Sequence, residues 1–337
     1  MRAQLSAGRR GRFGRMAAGA ALLAAVLASA PGHAKGTGLV YVSNEKSNEI
    51  TLVDPAEMKV VGAIKTSKRP RDMHFNKDRT LLYVACGDSD VVDVIDVASR
   101  KVVDKIPTGP SPEAFRLSPD EATIYVSNEE NSSLQAISLK EKIVVHEVPT
   151  GAEPEGVAIS EDGKTIYVTS EVADMVHVVN AEDGAVTDNI VVGTRPRRFI
   201  LTPDGKDLWV TSELSGEVHI IDRATNQIKQ VLKFLPPGFR QVDVTPVDLT
   251  ATADGKTAYV TLGRANHIAI VDIASRKIEG YVLVGSRPWG VRLSGDEKRL
   301  YVANGLSDDL SIVDLASRKV LKAIPVGRVP YGVQVDD

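Results

Sequence analysis

Apolar and polar positions recur along this chain with one long period. Each unit opens on an aromatic–Val pair: Tyr41-Val-Ser-Asn44, Tyr83-Val-Ala-Cys86, Tyr125-Val-Ser-Asn128, Tyr167-Val-Thr-Ser170, Trp209-Val-Thr-Ser212, Tyr259-Val-Thr-Leu262 and Tyr301-Val-Ala-Asn304. Successive starts are 42 residues apart, except for one interval of 50. A proline follows six of the starts by 29 residues (Pro70, Pro112, Pro154, Pro196, Pro288 and Pro330), and in the long unit Pro246 is displaced by eight. Within a unit the β-branched and aromatic residues fall into four short runs. In the second these are Tyr83–Ala85, Val91–Val97, Lys101–Ile106 and, after Pro112, Ala114–Leu117.

Turn chemistry separates the runs. Asp162-Gly163, Asp204-Gly205 and Asp254-Gly255 lie between apolar stretches, a strong short hairpin signal. Asp54, Asp96, Asp222, Asp272 and Asp314 end the third run at one phase, where a carboxylate accepts from nearby turn amides. Helical apolar spacing is absent. Four strands in about 40–45 residues make a propeller blade, and seven blades close into a ring. The expected fold is therefore all-β: a seven-bladed β-propeller of four-stranded antiparallel blades. The first strand, Leu39–Ser43, matches the second strand of a blade, and the last, Tyr331–Val335, matches the first. The C-terminal strand should complete the N-terminal blade and seal a sheet edge.

Residues 1–34 differ from the rest. Arg2, Arg9, Arg10, Arg12 and Arg15 precede an apolar run, Met16–Ala28, and small residues lead to Ala34. That order is a secretory signal peptide, with cleavage expected near Ala34, a periplasmic destination and a single domain over 35–337. Sec and twin-arginine routes stay open, and an uncleaved anchor is the alternative. No later stretch is apolar enough to span a bilayer. The whole chain carries a net charge of −3. Losing five arginines and no acid leaves the mature chain near −8, which argues against nucleic acid as a partner. Cys86 is the one cysteine. It excludes an internal disulfide and c-type haem attachment, and reads as a buried, inert thiol.

The Tyr-Val-x-Asn repeats, with Pro and Gly before the innermost strand, resemble the YVTN family of bacterial β-propellers over the whole mature chain. Tyr41-Val-Ser-Asn-Glu45, the Ser67-Lys-Arg-Pro-Arg-Asp72 loop and the Gly151-Ala-Glu-Pro-Glu-Gly156 loop are similar to the exported branch associated with PQQ-dependent catabolism. That resemblance implies a link to periplasmic alcohol oxidation. PQQ would be a cofactor by association, and a quinoprotein dehydrogenase or its cytochrome a partner.

The Pro-containing loops should gather at one mouth of the central channel, where side chains vary while the scaffold repeats. Arg69, Arg195 and Arg287 precede prolines. Arg71, Glu113, Glu155, Arg197, Trp289 and Tyr331 follow them, and Asp72, Arg198 and Asp248 come one further on. One reading is a solvated rim of mutual Arg–Glu pairs, each worth about 0–1 kcal/mol. The other is an anion-binding mouth. There Arg71, Arg197, Arg198 and Arg287 clamp a carboxylate, and Trp289 and Tyr331 give a flat stacking surface. The excess around Phe234-Leu-Pro-Pro-Gly-Phe-Arg240 is either a lid or docking loop with exposed phenylalanines, or an insertion packed on its own blade.

Other constellations are weaker. His177 and His219 share a phase in neighbouring sheets, but sheet faces about 10 Å apart do not supply one metal with two ligands. Ser43-Asn-Glu-Lys46 fits Ser-x-x-Lys only as a short chance pattern. Glu45, Glu129, Glu171 and Glu213 recur after the Tyr-Val strand and read as solvated or capping residues. No Gly-x-Ser-x-Gly elbow or phosphate-cradling loop occurs. The expected function is a non-catalytic periplasmic binding or accessory propeller. A lactonase-like hydrolase and a protein–protein interaction module are the alternatives.

Overall fold

The computed structural model describes residues 36–337; the expected leader and the expected cleavage near Ala34 lie outside them. Among the described residues twenty-eight strands run from β1 (Leu39–Asn44) to β28 (Pro330–Asp336), and no α-helix occurs. They form seven four-stranded antiparallel sheets. The seven innermost strands are β4 (Pro70–Phe75), β8 (Pro112–Leu117), β12 (Pro154–Ile159), β16 (Pro196–Leu201), β20 (Pro246–Ala251), β24 (Pro288–Leu293) and β28. Blade 1 has the order β28-β1-β2-β3, with β2 at Glu49–Asp54 and β3 at Lys59–Lys65. Blades 2 to 7 follow in chain order, each opened by the next of the Pro-led strands. The expected ring closure is present: Val40 pairs with Val335 and Val42 with Val333.

The repeated letters have repeated jobs. The aromatic of each Tyr-Val pair is buried between blades, Trp209 and Tyr41 completely. The Ser or Thr two positions after the aromatic ties neighbouring blades. Ser43, Ser127, Thr169 and Thr211 each donate a hydroxyl to a carbonyl of the next blade's innermost strand, namely those of Arg71, Glu155, Arg197 and Val247, at 2.7–3.0 Å. The same hydroxyls accept the amide two residues after their own blade's proline, as Thr169 does from Gly156 at 2.7 Å. Ser43 of the Ser-x-x-Lys pattern is thus structural. The strand-ending aspartates behave as expected: Asp54 and Asp96 accept turn amides at 2.7–3.0 Å. So do the Asp-Gly turns, where Gly163, Gly205 and Gly255 have φ near +70°.

Blades approach one another most closely where Pro-x-Gly occurs. A Cβ on Gly156 would lie 2.1 Å from the Arg197 carbonyl oxygen, and one on Gly290 would lie 2.4 Å from that of Tyr331. These obstacles are backbone, so they cannot swing aside. Gly156→Ala should cost about 2 kcal/mol through overpacking, read as a lowered midpoint in chemical denaturation; an unchanged midpoint would show that the blades have slack.

The long connection before blade 6 packs on its own blade. Phe234 is completely buried with Val244 and Leu249 in the blade 5–6 core. Phe239 stands edge-on to His267, ring centres 5.4 Å apart. Of the two readings of this segment the packed insertion holds: Phe234 is buried and Phe239 is half-buried against the same core. Cys86 is buried as expected.

Candidate functional site

Six of the seven Pro-loops share one device; Thr245, in the long loop before blade 6, lacks the positive φ. In the six, the residue before the proline has positive φ, 59° at Arg69, 60° at Arg195 and 60° at Arg287. Its amide is fixed by an Asn or Asp carboxamide or carboxylate oxygen: Asn48 for Arg69, Asp174 for Arg195 and Asn266 for Arg287, each at 2.9 Å. Its carbonyl accepts the amide of the residue just past the Tyr-Val strand, as Arg195 does from Glu213 and Glu153 from Glu171. Residues 45, 87, 129, 171, 213, 263 and 305 are thereby drawn to the mouth. They are Glu in four blades and Gly in three, and two of the glycines leave room for Arg69 and Trp289.

The mouth is a continuous ion-pair network. Arg71 binds Glu113 and meets Glu45 at 3.0 Å and Glu155 at 3.7 Å. Arg69 reaches Glu113 at 3.1 Å and Glu129 at 3.9 Å. Arg197 binds Glu171 and lies 3.3 Å from Glu155 and 3.8 Å from Glu213. Arg195 meets Glu171 at 2.7 Å, Arg198 meets Glu155 at 3.0 Å and Arg287 meets Glu213 at 2.5 Å. Six arginines thus face six glutamates.

Two expectations change here. The rim is paired but not solvated: Arg71, Glu113, Glu155, Arg197 and Arg198 are all buried. Glu171 and Glu213 are also buried, as network members rather than solvated loop residues. The repeat phase placed them; what was not legible was that their amides dock on the Pro-loop carbonyls. Tyr331 offers no stacking face either. The Arg71 guanidinium covers its ring at 4.2 Å, and Trp289 abuts it at 4.7 Å. Its hydroxyl donates to Glu155 at 2.8 Å and accepts from Arg198 at 2.5 Å. Trp289 remains half-buried at the rim.

Burial and charge divide the carboxylates. Burial alone would raise Glu155, but Arg197, Arg198, Arg71 and the Tyr331 hydroxyl outweigh it and hold the carboxyl well below the usual range. Burial pushes Glu171 up to about 7, helped by the charge of Glu155 and opposed by Arg197 and Arg195. Burial likewise raises Tyr331 to about 12. Four buried donors of the mouth lack a hydrogen-bond acceptor among the described residues: Arg71 Nε and Arg197 Nε still face Glu45 and Glu213 in ion pairs, whereas Arg198 Nη1 and Trp289 Nε1 stay idle.

Asp72 and Asp248 do not join this network. Both lie deeper in the channel and pair with Arg116 at 3.1 Å and Arg292 at 2.9 Å. Those arginines fall four residues after a proline, the strand-alternate position to Asp72 and Asp248, so the period-two pattern of the innermost strands carries them. A wider groove lies elsewhere, between blades 3 and 4. Its Asp120 and Asp162 are committed to turn hydrogen bonds with Ser118 and Ser160, so it gathers no free chemistry. His177 accepts the Gly151 amide at 3.0 Å, and His219 lies 3.2 Å from the Ser212 hydroxyl.

Comparisons with known proteins agree with this architecture. A model of YNCE-like β-propellers matches residues 28–180, and one of the choice-of-anchor I domain matches residues 133–298. The chain has the β-propeller fold. No curated protein sequence matches it significantly. Among solved structures, the periplasmic gluconolactonase PpgL of Pseudomonas aeruginosa is 22% identical, covers 89% of this chain and 99% of its own, and has a TM-score of 0.74. Hydrazine synthase of Kuenenia stuttgartiensis is 23% identical over 83% of this chain and 93% of its own, also at 0.74. A protein of Lactobacillus plantarum reaches 0.77 at 16% identity, covering 89% and 99%. At these identities the likeness is one of fold. No helix among the propeller's described residues is long and apolar enough to cross a membrane.

Proposed function

We propose that this propeller is an exported, non-catalytic binding protein whose Pro-loop mouth holds a small, flat, carboxylate-bearing ligand in the service of PQQ-dependent alcohol oxidation. The supporting observation is the idle pair of donors, Arg198 Nη1 and Trp289 Nε1, within a mouth whose other charges are matched. A buried donor without an acceptor costs about 1–3 kcal/mol, and a ligand oxygen would recover that. The Trp289 ring, with Arg197 and Arg287 each 5.7 Å from its centre, suits a planar conjugated acid. The quinoprotein link rests on the sequence resemblance, and PQQ, a planar tricarboxylate, is the ligand it suggests.

The chain has two tryptophans, and Trp209 is completely buried. Titrating the mature protein with PQQ should therefore quench Trp289 saturably, and Trp289→Phe should remove the response and weaken binding about tenfold, as one lost aromatic contact predicts. No quenching up to about millimolar PQQ, the weak end of specific affinity, would overturn the reading.

A second reading, a lactonase-like hydrolase, is favoured by Glu171. A carboxyl poised near 7 is suited to general-base work on water, and Arg195 and Arg197 beside it would stabilise an oxyanion. The fold neighbour PpgL carries the name gluconolactonase. Gluconolactone opening above the uncatalysed rate, rising with pH through about 7 and abolished by Glu171→Gln, would establish it; equal rates in both proteins would remove it.

A further inference from the structure

The deeper half of the channel contains a construction that the mouth does not use. Arg116 on β8 and Arg292 on β24 sit at equivalent positions of blades 3 and 7. Each is pinned in the same way. Arg116 Nη1 donates to the Phe115 carbonyl at 2.6 Å and to Asp72 at 3.1 Å. Arg292 Nη1 donates to the Val291 carbonyl at 2.6 Å and to Asp248 at 2.9 Å. The two aspartates are themselves fixed, accepting the amides of Phe115 at 3.2 Å and Val291 at 3.1 Å. Nε and Nη2 of both guanidiniums make no hydrogen bond with the described residues. A third arginine, Arg198 on β16, also lines the chamber, its charge matched by Glu155 at 3.0 Å. Arg116 and Arg292 thus face Asp72 and Asp248 one to one, and what they hold in reserve is N–H groups.

Burial depresses the Arg116 guanidinium, and the like charges of Arg292 and Arg198 depress it further against the pull of Asp72. His74, next to Asp72, is lowered to about 4, chiefly by burial, so it adds no charge at neutral pH. The chamber leads toward a groove of about 510 Å³ of empty space at the opposite face, lined by Arg292, Thr250 and Gln334.

We infer that the far half of the channel is an oxyanion site, in which Arg116 and Arg292 grip a small carboxylate or an inorganic oxyanion between them and Asp72 and Asp248 hold the guanidiniums in place. The space between these side chains is narrow, which limits the ligand to a few heavy atoms, and the spare N–H groups of planar guanidiniums suit two-oxygen acceptors. Trp289 and Tyr331 also line this chamber, but the Arg116–Arg292 grip uses neither, so the inference does not depend on the mouth's ligand.

The test is calorimetric titration of the mature protein, in a buffer of large zwitterions, with acetate and separately with sulfate. Saturable one-site binding of either is expected, with acetate preferred if the natural ligand is an organic acid and sulfate if it is inorganic. Arg292→Gln and, independently, Arg116→Gln should each weaken it about tenfold, the value of one charge-assisted contact, while the exposed-pair variant Arg318→Gln binds like the parent. Circular dichroism identifies any variant that fails to fold, and the other arginine then decides. Arg292→Gln should keep the Trp289 response to PQQ, so the two proposals fail separately. Absence of binding by both anions, or equal affinity in the folded Arg292→Gln and Arg116→Gln proteins, would overturn the inference.

Discussion

A chain ended at Val329 should not form a stable ring. Its loss is β28, the innermost strand of blade 1. The ladder from Leu39–Asp336 to Val42–Val333 would go. So would the bonds from the Thr37 amide and hydroxyl to Asp336, at 2.8 and 2.7 Å. Val333 and Val335 belong to the core shared by blades 1 and 7, and Tyr331 is buried in the mouth. Burying each such side chain contributes about 1.5–3 kcal/mol, so three of them approach the 5–15 kcal/mol total typical of a domain. The strand β1 would also become an open edge. The expected result is loss of the cooperative thermal transition followed by circular dichroism, with partial recovery when a peptide of residues 328–337 is added. Melting within about 2 °C of the parent, a shift of well under 1 kcal/mol, would refute closure by this strand.

Arg197→Ala should be the most damaging single substitution at the mouth. Arg197 faces Glu155, Glu171 and Glu213 and is itself buried. Removing one partner from a buried ion pair costs about 3–5 kcal/mol, because a charge is left without its counterion. The loss should depend on pH in a defined direction. Glu171 already titrates near 7 in the folded protein, against an ordinary value of 4.5. Its folded value is raised, so the native state holds this proton more tightly than the unfolded chain. The stabilising contribution is present in acid and disappears as pH rises through about 7. Without Arg197 the Glu171 carboxyl should shift further up. The deficit of the variant, read from denaturant midpoints, should then be smaller near pH 5, where Glu171 holds its proton, and larger near pH 8. A deficit independent of pH would mean that lost packing, not uncompensated charge, is the cause.

The same cluster shows where reading the residues alone stops. Glu171 and Glu213 are spaced like any loop acid, and the spacing does not say whether a loop meets water or an arginine. Their burial follows from the docking of their amides on the carbonyls of Glu153 and Arg195, contacts between segments 18 residues apart. Likewise Asp72 and Asp248 follow prolines as Arg198 does, yet pair with Arg116 and Arg292 of the next blade. Phe234, which the sequence left either exposed or packed on its own blade, fills a gap between blades 5 and 6.

By itself the amino-acid order determined the blade count, the four-strand unit, the turn positions, the strand that closes the ring and the side chains that gather at the Pro-loop mouth. Those depend on local propensity and on a period, and both are written in consecutive residues. Only the tertiary structure decided which charges meet, which are buried and which donors are left idle. Those depend on neighbours that the ring brings within a few ångströms across one or more blades, and on the water that their approach excludes.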